Sequence, residues 1–503
     1  MKKGERINIL FGGPAGTGPN ILTHLVGLAL VKQGYYAFYS RDYQSLIRGG
    51  HNFNMLTFSE EPVHSNDSEI DILVCLDENT EKLHSKNLKK GGVILKGSKE
   101  NMYYAGRIFK LLCVDFGILD KELKELSAKR YKENVEHAKK GYDDEKVEVC
   151  RIVFKKGKGD FINGNQGVSE GVVNSKIDVY FAYPMTPATP ILNELAEKSF
   201  DNNIKVVELE NEIAVANAGV GASIAGALTM VGTSGGGFDL MTETLSLTGI
   251  AGVPLVFYLS QRPGPGTGVA TYTAQGDLNI ARHAGHGEFN RIVVAPGDPL
   301  ESEELVNQAF YFSQKFKVPS IVVSDKHLGE SVYTIEGKPK IVSVSKNTKL
   351  GRNNSYEKDS VGSATENSGI INKNIQERLK IGEEIEKEAK KFSQYEVCGN
   401  KNSKNVVVSW GSTKGAIIDS IKDLNVKFVQ VKYIEPFPVG VEKEFVGKNI
   451  ILVENNSTAQ LGSLIREKTG IEIKNKILRY DGRPFLRDEL REEIQKIIGG
   501  KKG

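Results

Sequence analysis

Cysteine is scarce and scattered. The four residues, Cys75, Cys113, Cys150 and Cys398, stand far apart in 503 and form no C-x-x-C pair. Neither an iron-sulfur cluster nor a zinc site has that spacing. The thiols therefore read as buried side chains in a reducing compartment; if the chain takes part in redox chemistry, its metal lies on another chain. An excess of either charge is missing too. The 66 basic and 63 acidic residues leave a formal charge of +3, which gives no cationic field for a dedicated nucleic-acid binder. No apolar run reaches the roughly 18 residues that span a bilayer, and no charged n-region precedes an apolar stretch. The expectation is a cytoplasmic protein with neither membrane nor nucleic acid as partner. One hydrophobic core rarely serves a chain of this length, so about two to four domains are expected.

What is present is an alternation of apolar strands and amphipathic helices, punctuated by loops rich in Gly, Pro and Thr. Ile7 to Phe11 reads as a strand, Gly12-Gly13-Pro14-Ala15-Gly16-Thr17-Gly18-Pro19 as a loop, and Leu22, Leu25, Val26, Leu28 and Ala29 as one face of a helix. Such glycines let backbone amides approach an anion at a helix N-terminus. A P-loop is excluded because Pro19 stands where Lys is needed. The dinucleotide fingerprint is weakened by Ile21, although Asp42 lies at the distance of a ribose contact, so a nucleotide site stays open. Arg48, beside Gly49 and Gly50, suits a phosphate or carboxylate, or else a solvent-facing turn. Gly13, Gly16, Gly18 and Arg48 are thus a candidate anion loop.

Strand and helix signals continue to the basic hinge Lys155 to Asp160, which closes a first α/β domain at 1–157. A second α/β domain covers 160–335. From 340 to 402 the composition shifts to Lys, Asn, Ser and Glu, a linker that contains a charged helix with Ile375, Leu379, Ile381, Ile385, Ala389 and Phe392 at helical steps. A third α/β segment, 403–503, opens on the strand Val406 to Trp410.

The run Tyr183-Pro184-Met185-Thr186-Pro187-Ala188-Thr189-Pro190 follows the strand-like Val179 to Ala182 and precedes a helical pattern. Its three prolines fix φ and withhold amide donors, and Thr186 and Thr189 are candidate helix caps. A stiff turn at the carboxyl end of a strand is where open α/β sheets bind ligands. A capped helix start without a ligand fits the same residues.

Three motifs then stand in one order: Tyr183 to Pro187; Glu208-Leu209-Glu210-Asn211-Glu212; and Gln261-Arg262-Pro263-Gly264-Pro265-Gly266-Thr267-Gly268 with Gln275-Gly276-Asp277-Leu278. Together they resemble the α subunit of 2-oxoacid:ferredoxin oxidoreductases. Gly12 to Gly18 with Arg48 to His51 resemble the γ domain of the same enzymes. Trp410 to Thr413 with Val453 to Asn456 resemble their transketolase C-terminal-like domain. The order is that of a fused γ-α large subunit. The resemblance implies an α/β fold of three domains with doubly wound, mostly parallel sheets: a γ domain, a pyrimidine-binding domain and a transketolase C-terminal-like domain.

It also implies a thiamine diphosphate enzyme that decarboxylates a 2-oxoacid such as pyruvate or 2-oxoglutarate to an acyl-CoA and passes electrons to ferredoxin. A separate β subunit would carry the diphosphate site, Mg²⁺ and a [4Fe-4S] cluster, in a dimer of heterodimers; no metal site is expected on this chain. By position, Glu212 matches the glutamate that hydrogen-bonds the pyrimidine, Arg262 the arginine that grips the substrate carboxylate, and Thr186 a threonine near substrate and cofactor. Tyr183 and Pro184 would line the cofactor, and the glycine loop with Arg48 would take CoA or another anion. Glu208 and Glu210 are expected to support the structure, and His283 and His286 are given no catalytic role. Two departures stand out: Pro265-Gly266-Thr267 replaces the usual Ser or Ala at its centre, and the linker has Asn, Ser and Lys where the family often has His and Gly. A nucleotide-binding enzyme and a non-catalytic scaffold remain the alternatives.

Overall fold

The structure, a computed structural model, describes residues 4–44, 50–98, 100–150, 152, 153, 155, 157–347 and 354–499. Arg48 of the candidate anion loop lies outside the described residues, as do its neighbours 45–47 and Gly49. In chain order the strands are β1 (Arg6–Pro14), β2 (Tyr36–Asp42), β3 (His51–Ser59), β4 (Ile70–Cys75), β5 (Leu88–Leu95), β6 (Asp160–Asn163), β7 (Val179–Ala182), β8 (Lys205–Glu208), β9 (Thr229–Thr233), β10 (Leu255–Gln261), β11 (Ile292–Val294), β12 (Pro319–Asp325), β13 (Val332–Ile335), β14 (Tyr395–Gly399), β15 (Asn405–Trp410), β16 (Lys427–Val431), β17 (Tyr433–Glu435), β18 (Asn449–Glu454) and β19 (Asn475–Leu478). They form three sheets, ordered β5-β4-β1-β3-β2-β13-β6, β17-β11-β12-β10-β9-β7-β8 and β14-β16-β15-β18-β19.

The chain folds as two compact units. The first takes Met1–Ile162, Glu330–Gly337 and Phe485–Glu492; the second takes Asn163–Gly329, Lys338–Pro484 and Glu493–Gly503. Sequence pattern draws three successive domains, and the units depart from it in two ways. The first unit recruits segments from far along the chain: β13 pairs antiparallel with β2, and Arg487 Nε donates to Asp67 Oδ1 at 2.6 Å. Long-range pairing of this kind leaves no trace in local periodicity. The second and third sheets meanwhile share one unit, because Phe257, Leu259 and Val323 of one pack in the same buried cluster as Val406, Val408 and Trp410 of the other.

In the first unit β1 is buried along its length and pairs antiparallel with β3 and parallel with β4. Its sheet is mixed, antiparallel through β1-β3-β2-β13. The helices Asn101–Leu111 and Tyr131–Asp144 touch backbone to backbone, since a Cβ on Gly106 would lie 1.8 Å from Ala138 O and one on Gly141 1.9 Å from Tyr103 O.

The candidate glycine loop is shorter than the sequence suggests. Gly12 and Gly13 belong to β1, where a Cβ would meet Thr80 at 2.5 Å and Leu76 at 2.7 Å. The turn itself closes with Thr17 N and Oγ1 both donating to Pro14 O, at 3.2 and 2.8 Å. Gly18 is the left-handed N-cap of the helix Pro19–Lys32, and a Cβ there would lie 2.3 Å from Asn101 Nδ2. Gly16, at φ 88°, faces open space.

In the second unit, β10 alternates Leu255, Phe257 and Leu259 into one buried cluster with Val256 and Tyr258 into another, as the period of two requires. The second sheet is parallel except for β17, which pairs antiparallel with β11. The third is parallel except for β14. The expected linker thus ends in a strand of the third sheet, and its helix runs Ser368–Ala389. Two of the apolar residues picked out there, Ile385 and Ala389, are buried; Leu379 is exposed. A buried ionic lock joins the two sheets' helices: Lys414 Nζ donates to Glu301 Oε1 at 2.7 Å and to Asp298, while Gln430 Nε2 donates to Glu301 Oε2 at 2.6 Å.

Candidate active site

The site is built at the carboxyl ends of the parallel strands of the second sheet, where loops leave the sheet and helices begin. β7 ends at Ala182 and feeds the proline turn. Tyr183 and Pro184 are exposed, and Met185 O accepts from Ala188 N at 2.8 Å and Thr189 N at 3.2 Å. The threonines do not cap the helix, contrary to expectation: the N-cap is Ala188, with no side-chain cap bond. Thr186 contributes through its backbone, its carbonyl accepting from Arg262 Nη1 at 2.7 Å. The prolines thereby fix a carbonyl that in turn fixes the arginine.

β8 leads to Asn211, whose side chain accepts from Ala214 N at 2.9 Å and caps the helix Glu212–Ile224. Glu208 and Glu210 are exposed. Glu212, at the first helical position, is 3% exposed, and its Oε1 is shut off from solvent without a hydrogen-bond partner. An acid placed only to complement a helix dipole gains by pointing into water. This one points at the turn after β9 instead, where a Cβ on Gly237 would lie 2.5 Å from Glu212 Oε1 and 2.1 Å from Thr233 Oγ1. Leaving a buried acceptor unsatisfied weighs about 1–3 kcal/mol against the fold, a cost that a donor from outside the chain would relieve.

Among the other buried polar atoms without a partner are Ser234 Oγ, Arg262 Nε and Asp277 Oδ2. They belong to the same group of loops. Ser234 and Gly235 to Gly237 follow β9; Arg262 follows β10; and a Cβ on Gly235 would lie 2.6 Å from Asp277 Oδ2. Burial lowers the Arg262 pKa, opposed by the charges of Asp277 and Glu212. Burial, aided by Asp239 and opposed by Arg262, pushes the Asp277 carboxyl up to about 6.

The next layer is fully bonded. Gln261 Oε1 accepts from Asp277 N at 2.9 Å and its Nε2 donates to Ser324 O at 3.1 Å. Gln275 reaches into the third sheet's loops, its Nε2 donating to Trp410 O at 2.7 Å and its Oε1 accepting from Asn455 N at 2.8 Å. Asn456 Nδ2 donates to Gln275 O at 2.9 Å. Trp410 and Asn455 belong to the motifs that suggested the C-terminal domain; in the fold they hold Gln275, two residues from Asp277. His283 and His286 stand apart from these contacts, His286 O accepting from Ser246 Oγ at 2.9 Å.

Of the residues named from the sequence, Thr186 and Arg262 are in contact through the Thr186 carbonyl, Glu212 lies against the neighbouring turn after β9, and Tyr183 and Pro184 are exposed. Ser234, Asp277, Gln261 and Gln275 escaped sequence reasoning as individual residues. Asp277, Gln261 and Gln275 stood within quoted motifs, but nothing in a motif tells which oxygen is left without a donor. The buried, unpartnered glutamate at a strand-to-helix turn fits the acceptor that the thiamine pyrimidine ring requires.

Fold and site together define an α/β chain whose second sheet gathers unpartnered polar side chains at the carboxyl ends of its strands. Residues 170–398 match the family model for pyruvate flavodoxin/ferredoxin oxidoreductase, thiamine diP-binding, and residues 8–100 that for pyruvate ferredoxin/flavodoxin oxidoreductase. A curated 2-oxoacid:ferredoxin oxidoreductase subunit alpha from a Sulfolobus species is 29% identical, over 98% of this chain and 97% of its own. The 2-oxoglutarate synthase subunit KorA of Archaeoglobus fulgidus is 36% identical over 34% of this chain and 51% of its own. Among solved structures, a 2-oxoglutarate:ferredoxin oxidoreductase from Magnetococcus marinus, with 2-oxoglutarate, coenzyme A and succinyl-CoA bound, superposes with a TM-score of 0.90 at 21% identity, covering 98% of this chain and 100% of that one. The chain belongs to the 2-oxoacid:ferredoxin oxidoreductases, as a large subunit that joins γ-like and α-like parts.

Proposed function

We propose that Glu212, Thr186 and Arg262 are this chain's share of an active site that oxidatively decarboxylates a 2-oxoacid in the presence of CoA and delivers electrons to ferredoxin. Thiamine diphosphate, when bound, supplies the electron sink for decarboxylation. Glu212 Oε1 holds a proton on the pyrimidine ring of that cofactor and so tunes its basicity. Arg262 grips the substrate carboxylate with a planar, two-pronged donor, its direction set by the bond to Thr186 O. The single observation that carries the reading is the buried Glu212 oxygen left without a partner.

The rest of the machinery is assigned to a β subunit holding the cofactor's diphosphate, Mg²⁺ and a [4Fe-4S] cluster, in a cytoplasmic dimer of heterodimers. CoA is assigned to the anion loop at Gly13, Gly16 and Gly18 with Arg48. Gly16 supports this, being the glycine there that faces open space. Among the described residues no helix is long and apolar enough to cross a membrane.

Co-purification of the chain with its partner, followed by CoA-dependent reduction of a viologen dye with pyruvate and 2-oxoglutarate, tests the reading. Turnover by this chain alone would refute the split site. Glu212→Gln should lower kcat by about 10²- to 10⁴-fold while the complex still assembles; unchanged turnover would leave only the scaffold alternative.

A further inference from the structure

Within the second unit, the helices Thr242–Ala251 and Ser368–Ala389, residues of the segment 282–291 and the turn at Glu435 and Pro436 border a cavity of about 830 Å³. Space of that order takes a small organic molecule. Its frame is pinned. Asn290 Nδ2 donates to Arg378 O at 2.6 Å, and Gly382, where a Cβ would lie 2.8 Å from Asn290 Oδ1, lets the helix come that close. Phe289 is seated against Gly249, where a Cβ would lie 2.4 Å from its ring.

The charges around the cavity are not all balanced. Arg282 is engaged by Glu435 at 3.0 Å and by Glu467 at 2.9 Å, and Arg378 by Glu357 at 2.6 Å. Arg291 is the exception: it enters no ion pair among the described residues. Its guanidinium lies 4.4 Å from the centre of the Phe289 ring, and its Nη1 donates to Ala281 O at 3.4 Å. Burial pulls its pKa down to about 10, opposed by the charge of Glu435. A guanidinium that is half-buried, held on a fixed ring and left without an anion has donors to spare for one.

The other walls say which anion. Leu247, Ile250, Ile375 and Leu379 line the cavity, and Leu379 is 58% exposed there. Glu243, Glu288 and Glu386 border it too, and all three are exposed. Solvated acids around one unpaired cation repel a second negative charge. A polyanion such as a nucleotide is thereby disfavoured, and an apolar chain ending in a single charge is favoured. We propose that the cavity binds a monocarboxylate with an apolar chain, its carboxylate on Arg291 and its chain along Leu247, Ile250, Ile375 and Leu379. This site does not depend on the chemistry proposed for Glu212 and Arg262.

Isothermal titration of the reconstituted complex with octanoate is the test, with 1-octanol and inorganic phosphate as arms that separate chain from charge. Octanoate should bind at one site per copy of this chain, about tenfold more tightly than either. Arg291→Gln should bring octanoate down to the level of octanol, and Arg291→Lys should keep part of the difference. Leu379→Glu, a change at an exposed position, should weaken octanoate by about tenfold through repulsion, and it decides the matter should Arg291→Gln fail to assemble. Absence of octanoate binding to the wild-type complex, equal binding of octanol or phosphate, or wild-type affinity in Arg291→Gln or Leu379→Glu overturns the proposal. So does binding to the chain alone that vanishes in the complex, which would show the cavity covered by a partner. Turnover of 2-oxoacids measured on the same preparation keeps the two readings apart: an active complex that ignores octanoate sinks this site alone, and an inactive complex that binds it leaves this site standing.

Discussion

At the scale of single residues, the site concentrates polar atoms that the fold leaves dissatisfied. Asp277 shows the energetic sign. Its folded carboxyl stands at about 6 against an ordinary 3.8, so the folded chain binds this proton more tightly than the unfolded one does. Its charge is therefore no burden below pH 3.8. The burden grows as pH rises from there to about 6, then stays at on the order of 3 kcal/mol. Arg262 carries the complementary expectation. Arg262→Lys retains the charge but loses the planar fork that donates to Thr186 O and that the proposed function turns toward the substrate carboxylate. KM for either 2-oxoacid should rise by about 10- to 100-fold with kcat changed far less, as steady-state kinetics over a substrate series would show; a change in kcat alone would place Arg262 away from the carboxylate.

At the scale of elements, the decisive piece is the triglycine turn after β9. Gly237 has no room for a methyl group beside Thr233 Oγ1 and Glu212 Oε1. Gly237→Ala should therefore destabilise the chain by about 1–3 kcal/mol, read as a lower denaturant midpoint. It should also reduce turnover through displacement of Glu212, an effect that a mere loss of stability would not produce at low temperature. Much at this scale is legible without coordinates. The strand-loop-helix succession follows from period-two and period-3.6 patterns, and Asn211 caps its helix as its type and place suggest. The pattern fails where competition is decided in three dimensions. Thr186 and Thr189 are better cap residues than Ala188, yet the chain enters the helix at Ala188. Gly12 and Gly13 look like loop residues and are strand residues, because Leu76 and Thr80 pack where side chains would be. Asp277 stands within a quoted motif, but nothing in the sequence shows that one of its oxygens is buried without a donor.

At the scale of the whole molecule, the described chain is two units, one of which threads through distant parts of the sequence. Within the second unit the third sheet supports the loops of the candidate site instead of standing beside them. Gln275 is the joint. Gln275→Leu strands Asn455 N, while Trp410 O keeps its bond from Thr413 Oγ1, and should lower stability by about 1–3 kcal/mol for the group left unpaired. It should also raise KM by loosening the loop that carries Asp277, which Gln275 anchors on the third sheet. Differential scanning calorimetry and KM together check this, and a stability loss with unaltered KM would mean that the joint is structural only. Motifs alone could name the third segment but could not reveal that its Trp410 and Asn455 hold a residue 135 and 180 positions upstream.

The antiparallel strand β17 has a consequence for synthesis. β11 is three buried apolar residues, Ile292, Val293 and Val294, and its outer side is covered by Tyr433 and Glu435. Until those residues leave the ribosome, the second sheet ends in a bare hydrophobic edge of the kind that recruits other chains. More than a hundred residues are translated in that interval, at roughly 5–20 residues per second. For several seconds each nascent chain holds a sheet that is parallel, apolar and open on one side, so the segment from 300 to 435 is where a slow codon run or a missing chaperone would turn synthesis into aggregation.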